Sequence, residues 1–289
     1  PCISTKLDPK TSISCTELPL PGTLPCTVIT SEETFNSGDV NFDGYQDVGW
    51  QVEIDPISKS VVDYGNGQEK LWALGRMAHE NIVVADDSLT AYFGEDGGTS
   101  CVYKFIADNP TNLSSGTLYV LAVDSGLDSN GDPLGPAAHW IQVPNATQND
   151  RNNANSLASA VGGTSFFGVE DVEIHPISGQ IYFTSKGNGR TYRFTEGGTS
   201  ITGFETFLGG DSYGMYSTSG LQFEPWGGGN DNLAFDDLGN LWVMQDGDND
   251  YIWVVRPDHT PQNPRVELFG RTPFGSEPTG ITFSPDHRF

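Results

Sequence analysis

The stretch from Leu71 to Phe105, LWALGRMAHENIVVADDSLTAYFGEDGGTSCVYKF, decides how the rest of the chain is read. Apolar residues recur around Ile82 and Val84, again from Leu89 to Phe93, and a third time from Cys101 to Phe105. Each run is too short for a helix and has the length and alternation of a strand. Asp86-Asp87 and Glu95-Asp96-Gly97-Gly98 separate the runs, and these are turn residues. Glu80 opens the first strand, and Glu95 closes the second fifteen residues later. An antiparallel hairpin brings both ends to one edge, so the pattern predicts two carboxylates on one rim.

Outward from this stretch the unit returns. Glu170-Asp171-Val172-Glu173-Ile174 leads to Gln180–Phe183 and Thr191–Phe194, with Ser185 at the second acid's place. Asp231–Phe235 leads to Asn240–Val243 and Tyr251–Val255, and Asp246 follows Asp231 at the same fifteen-residue spacing. A partial copy begins at Thr279-Gly280-Ile281-Thr282-Phe283. The starts at 80, 170, 231 and 279 are 90, 61 and 48 residues apart. A four-stranded repeat of about 40–50 residues is a propeller blade. The longest gap then holds two blades, the second an irregular one built from Thr117–Val123 and Trp140–Val143. The fold class is all-β, a β-propeller. Residues 1–25 form an irregular Cys/Pro-rich arm and 26–289 the propeller domain, whose last blade is incomplete at Phe289. An unfinished blade exposes a strand edge, so a strand-exchange or assembly partner is expected there.

Composition narrows the function. The formal net charge is −24, with 38 acidic against 14 basic residues, which excludes nucleic acid as a partner. No run approaches the ~20 apolar residues of a membrane span. Three of the four cysteines, Cys2, Cys15 and Cys26, crowd the N-terminal arm without a C-x-x-C spacing. That suits disulfide staples in an exported protein better than a zinc ribbon. Asn112-Leu113-Ser114 and Asn145-Ala146-Thr147 are glycosylation sequons.

Two kinds of acidic pattern point to cations. In DVNFDGYQD, residues 39–47, Asp39, Asn41 and Asp43 alternate ahead of Gly44, with Asp47 beyond. That is the front half of a calcium loop without its closing glutamate, since Trp50 stands there; an ordinary Asx-rich loop is the alternative. Asp128, Asn130 and Asp132 repeat the alternation. The blade-start acids Glu33, Glu80, Glu170, Asp231 and Glu277, with Asp246, form the second pattern. Innermost strands of a propeller line its channel, so these acids are expected to converge. Close carboxylates cannot all stay ionised without cations, and oxygen ligands suit calcium, magnesium or ferric iron.

At these residues the chain resembles the PhoX-type alkaline phosphatases. Gly75-Arg76-Met77-Ala78-His79-Glu80 is similar to that family's G-R-F-x-H-E element, and Thr30-Ser31-Glu32-Glu33 to its T-C-E-E element. Val169-Glu170-Asp171, Asp231-Asn232-Leu233, Gln245-Asp246-Gly247 and Ser276-Glu277-Pro278-Thr279-Gly280 follow in the family's order. The resemblance implies an exported, six-bladed propeller that hydrolyses phosphomonoesters with ferric iron and calcium, a cysteine being among the iron ligands. By motif, Glu33, Glu80, Glu170, Asp231, Asp246 and Glu277 are the implied metal ligands, and Arg190 is the nearest candidate for holding phosphate. The expected location is secreted, extracellular or periplasmic. The Cys-x-Gly-Gly and Trp-rich segment of the family is not intact here, where Cys15 to Val28 reads CTELPLPGTLPCTV. A second reading follows from that departure: a non-catalytic, calcium-stabilised extracellular propeller acting in binding or assembly.

Overall fold

The computed structural model describes residues 27–65, 70–247, 249–273 and 275–283. The N-terminal arm, Cys2, Cys15, Cys26 and the segment Ser284–Phe289 lie outside the described residues. The chain divides into two compact units. One holds the described residues up to 122 together with 140–165; the other holds 123–139 and 166–283.

In the first unit, β1 (Val28–Ser31), β2 (Gln51–Asp55) and β3 (Ser60–Val61) form an antiparallel ladder in that order. The decisive stretch then forms β4 (His79–Val84), β5 (Thr90–Glu95) and β6 (Val102–Asn109), continued by β7 (Asn112–Val123), each antiparallel to the one before. Ile82, Phe93, Tyr103, Phe105 and Leu118 fill one core with Leu74 and Met77. Their alternation is what predicted the strands; the opposite faces of β5 and β6 are covered too, with Tyr92, Val102 and Lys104 buried, and this burial holds the meander together.

The strand β8 (Ala138–Val143) follows, then two short helices, α1 (Gln148–Asn152) and α2 (Ala154–Ala160). Thr147 and Asp150 cap α1 reciprocally, a Thr-x-x-Asp version of the capping box. The irregular blade expected from Thr117–Val123 and Trp140–Val143 is not a meander of its own. Thr117–Val123 extends β7, the fourth strand of the preceding meander. The cause is the tight Asn109–Asn112 turn, which folds the apolar run Leu118–Val123 straight back along β6. Asn145 also departs from its sequon reading: it is buried, and its Nδ2 donates to Ala73 O at 3.0 Å and Gly116 O at 3.1 Å.

The second unit carries two further meanders. β9 (Val172–Ile174), β10 (Ile181–Ser185), β11 (Arg190–Gly197) and β12 (Ser200–Leu208) pair in sequence, and Ala138–His139 at the start of β8 lie along β12. The hairpin β13 (Ser212–Ser217) and β14 (Gly220–Pro225) precedes the last meander: β15 (Asn230–Phe235), β16 (Leu241–Gln245), β17 (Tyr251–Val255) and β18 (Val266–Arg271). Gly214 of β13 pairs parallel to Glu267 of β18, so this Gly-rich segment is a hairpin attached to the outer strand. Trp226 packs on Tyr213 and Trp253 and covers this edge, whereas Phe223 is exposed. The partial copy at Thr279–Phe283 forms no strand. Pro278 has no N–H for a ladder and Gly280 weakens one, so the segment stays irregular.

Candidate metal centre

Three hairpins share one departure from regular pairing, and it falls on the candidate acids. In β4–β5 the register slips by one residue between His79, opposite Glu95, and Ile82, opposite Phe93. The extra residue lies at Glu80–Asn81. In β15–β16 it slips between Asn230, opposite Gln245, and Leu233, opposite Val243, which places Asp231–Asn232 in the bulge. In the third hairpin Val172 faces Phe183, but the Lys186 N–H bonds to Gly168 O, again one residue out, so Val169–Glu170 absorb the slip. A β-bulge bends its strand and re-aims a side chain that regular pleating would fix. Here it re-aims Glu80, Glu170 and Asp231.

Each bulge is closed the same way. Asp96 N–H donates to Ala78 O at 3.1 Å, Lys186 N–H to Gly168 O at 2.9 Å, and Asp246 N–H to Gly229 O at 2.8 Å. The acid sits two residues past the acceptor each time. A hydroxyl from a neighbouring strand then holds the acid's own carbonyl. Ser31 Oγ donates to Glu80 O at 2.5 Å in the first unit, and Thr184 Oγ1 donates to Asp231 O at 2.7 Å in the second.

In the first unit, carboxylate oxygens of Glu33, Glu80 and Asp96 lie within 4.8 Å of one another. Glu32 is spent elsewhere: it accepts the N–H groups of Gly49 and Trp50, both at 3.1 Å, and pairs with Lys70 Nζ at 2.7 Å. His79 is wholly buried, donating Nε2–H to Gly75 O at 2.8 Å while Nδ1 accepts from Gln51 Nε2 at 3.2 Å. Burial pushes its pKa down to about 4 against the Gly75 contact, so the ring is neutral. Gly75 itself must be glycine: its φ is +83°, and a Cβ would stand 2.4 Å from that of Ala154.

Glu95, expected beside Glu80, is not in this group. Its oxygens accept from Thr99 Oγ1 at 2.6 Å and Tyr103 OH at 3.0 Å, inside the meander. Burial raises its pKa, opposed by those hydrogen bonds. The residue that does join is Asp96, which the sequence reading missed. The β4–β5 connection, six residues from Val84 to Ala91, is one longer than the β15–β16 connection from Phe235 to Leu241. Equal spacing therefore pairs Glu95 with Asp246 in sequence, while the ladder pairs Asp96 with Asp246. Comparing the lengths of those two turns would have found it.

In the second unit, oxygens of Asp231, Asp246 and Glu277 lie within 4.8 Å of one another. Glu170 reaches the same place through Lys186, whose Nζ is 3.1 Å from Glu170 Oε1, 3.1 Å from Asp246 Oδ2 and 3.8 Å from Asp231 Oδ2. Burial disfavours the ammonium, but the carboxylates outweigh it and its pKa is raised. Asp171 secures the pair from behind: its Oδ2 accepts Leu233 N–H at 2.8 Å, and its own N–H donates to Thr184 Oγ1 at 3.0 Å.

Arg190 lies on Asp132, with Nε to Oδ1 at 2.9 Å and Nη2 to Oδ2 at 3.3 Å, and Thr206 Oγ1 also donates to that carboxylate. Burial raises the Asp132 pKa less than these donors lower it, so it stays ionised. Asp132 is thus the anchor of Arg190, and Asp128 caps its own loop by accepting the Asn130 and Asp132 N–H groups. The Asp39–Asp47 loop behaves similarly. Asp39 Oδ2 accepts Gly44 N–H, Asn41 Oδ1 accepts Asp43 N–H, Asp43 Oδ1 accepts Tyr45 N–H, and Asp47 accepts Val40 N–H. Gln148 and Asn152 of α1 clamp it through Asp43 O and Gly44 O, both at 2.8 Å. Asp39 Oδ1 is enclosed there without a donor.

The donor set can be tested against the implied cations. Both groups consist of carboxylates alone among the described residues, which fits hard cations. Neither includes a cysteine. Cys101 is buried, and its thiol is pushed up to about 12, first by burial, so it is not a ready thiolate.

Repeated four-stranded meanders, with grouped carboxylates at the ends of their hairpins that could hold a metal ion, define a β-propeller. The model of the alkaline phosphatase PhoX family matches residues 23–289, and the chain belongs to that family. Pseudomonas fluorescens PhoX, solved in complex with vanadate, a transition state analogue, is similar at 24% identity and a TM-score of 0.66. The match covers 90% of this chain and 61% of that one, so this chain spans about three fifths of that protein's length, and the likeness establishes the propeller fold. Virginiamycin B lyase from Staphylococcus aureus (11% identity, TM-score 0.39, 94% and 73% covered) and the periplasmic gluconolactonase of Pseudomonas aeruginosa (12%, 0.32, 90% and 87%) are too distant to carry an argument. No curated protein sequence matches.

Proposed function

We propose that the protein is an exported, metal-dependent phosphomonoesterase. The observation that carries this reading is the bulge geometry, built three times over, which aims Glu80, Glu170 and Asp231 out of their ladders in a chain of a phosphatase family. Family membership favours it over the non-catalytic propeller. Glu33, Glu80 and Asp96 would hold one cation, and Asp231, Asp246 and Glu277 with Glu170 another; calcium suits both, and iron is the second candidate. Bound there, the cations would supply Lewis-acid stabilisation of charge on the transferring phosphoryl group.

The chain's own residues set up that chemistry. Ser31 and Thr184 fix the peptides that carry Glu80 and Asp231, so the backbone beneath those carboxylates is set before anything binds. Arg190 is our candidate for a phosphate oxygen. Asp132 orients its guanidinium and leaves N–H donors on both Nη atoms. The Asp39–Asp47 loop is a candidate for a structural calcium, motivated by the enclosed Asp39 Oδ1. A phosphomonoester is the substrate class. Export rests on the family alone; among the described residues no helix is long and apolar enough to cross a membrane.

The test is hydrolysis of p-nitrophenyl phosphate by the chain loaded with calcium and ferric iron, beside Glu170→Gln. Turnover that disappears in the folded variant is expected. A loaded, folded wild-type protein with no turnover refutes the phosphatase reading.

A further inference from the structure

The three bulges are equivalent, but their closing residues are not alike. The residue whose N–H closes the bulge is Asp96 in one hairpin, Asp246 in another and Lys186 in the third. Two of these positions place a carboxylate beside the bulge acid; the third places an ammonium there. Lys186 Nζ sits 3.1 Å from Glu170 Oε1 and from Asp246 Oδ2, and 3.8 Å from Asp231 Oδ2. It contacts oxygens that a cation on this group would need.

We propose that Lys186 is a built-in counter-ion that holds the acid group of the second unit together without metal and is displaced when a divalent cation binds. This rests on the metal reading given above. Calcium needs its oxygens at about 2.3–2.6 Å, and an ammonium 3.1 Å from both Glu170 Oε1 and Asp246 Oδ2 occupies the space between them that such an ion would fill. The charges also compete: a single positive charge that has moved only about 6 Å from a divalent ion still weakens its binding about tenfold at the dielectric of water. The lysine has a way out, because its side chain is 35% exposed while that of Glu170 is 6% exposed. The carboxylates stay and the cation changes. Asp171 and Thr184 keep Glu170 and Asp231 in place during the exchange, since they bond backbone and not the ammonium.

The experiment uses the full chain stripped of metal and titrated with calcium by calorimetry. The binding event abolished by Glu170→Gln is assigned to this group. Lys186→Met should tighten that event about tenfold, while Lys186→Arg, which keeps the charge, should stay within about threefold of wild type. A Lys186→Met protein that binds calcium no tighter overturns the inference and leaves the metal reading standing. A wild-type protein with no Glu170-dependent event overturns both. A second measurement needs no variant: acetylation of Lys186 in the wild-type protein, followed by peptide mass spectrometry, should accelerate several-fold when calcium is added. An unchanged or slower rate overturns the displacement.

Discussion

Thr184→Val removes one hydroxyl and keeps the side chain's shape, which makes it a clean probe of how the second unit holds its acids. Thr184 is fully buried. Its Oγ1 accepts the Asp171 N–H at 3.0 Å and donates to Asp231 O at 2.7 Å, so one oxygen ties β10 to the residues that carry Glu170 and Asp231. Valine leaves the Asp171 N–H and this lone pair of Asp231 O without that partner. A net hydrogen bond contributes roughly 1 kcal/mol, and a buried group left unsatisfied costs about 1–3 kcal/mol. With two such groups the expected loss is about 2–6 kcal/mol, measured as the shift in urea midpoint of the metal-free protein. Thr184→Ser keeps the hydroxyl and should recover most of it. Calcium affinity should fall with the valine and return with the serine, because Asp231 loses the bond that fixes its peptide. If the valine variant unfolds within about 0.5 kcal/mol of wild type and binds calcium equally, the hydroxyl does not organise the site and the positioning argument is wrong.

Further outcomes follow from the same contacts. Asp96→Asn should weaken calcium binding by the first unit at least about tenfold with little change in metal-free stability, whereas Glu95→Gln should leave calcium affinity nearly intact; calorimetry that reverses the two restores Glu95 as the ligand. Cys101, whose thiol burial pushes up to about 12, should resist iodoacetamide at pH 8 in the native protein and react in urea, as read by mass spectrometry of its peptide. His259 is buried, with Nδ1 accepting Arg265 N–H and Nε2 facing Phe207 O, and burial lowers its pKa below 6.5. A neutral ring is therefore required by the fold. Its contribution is complete above about pH 6.5 and lost as pH falls below that value, so His259→Gln should flatten the decline of the urea midpoint between about pH 6.5 and 5; an unchanged slope counts against it.

The propeller was legible because a meander writes itself twice into sequence, once as alternation and once as recurrence. The strands around Ile82, Phe93 and Tyr103 bury the residues that the alternation selected. What pattern could not resolve is register to a single residue. Glu80 and Asp231 were found because each opens a strand, and Asp246 was found with Asp231, but the partner of Glu80 depends on turn length and shifts by one. Glu95 and Asp96 are adjacent, and strand pleating sends adjacent side chains to opposite faces, so an error of one residue exchanges a core carboxylate for a candidate ligand. Glu95 turns inward to Thr99 and Tyr103; Asp96 joins Glu33 and Glu80. The same limit hid Lys186. Spacing placed Ser185 opposite Glu170 and ended there, whereas the Gly168 bond makes Lys186 the counterpart of Asp96 and Asp246. A charge of opposite sign at an equivalent position is visible only once the ladder is known. It is also the feature that gives the second unit's acid group a chemistry different from that of the first.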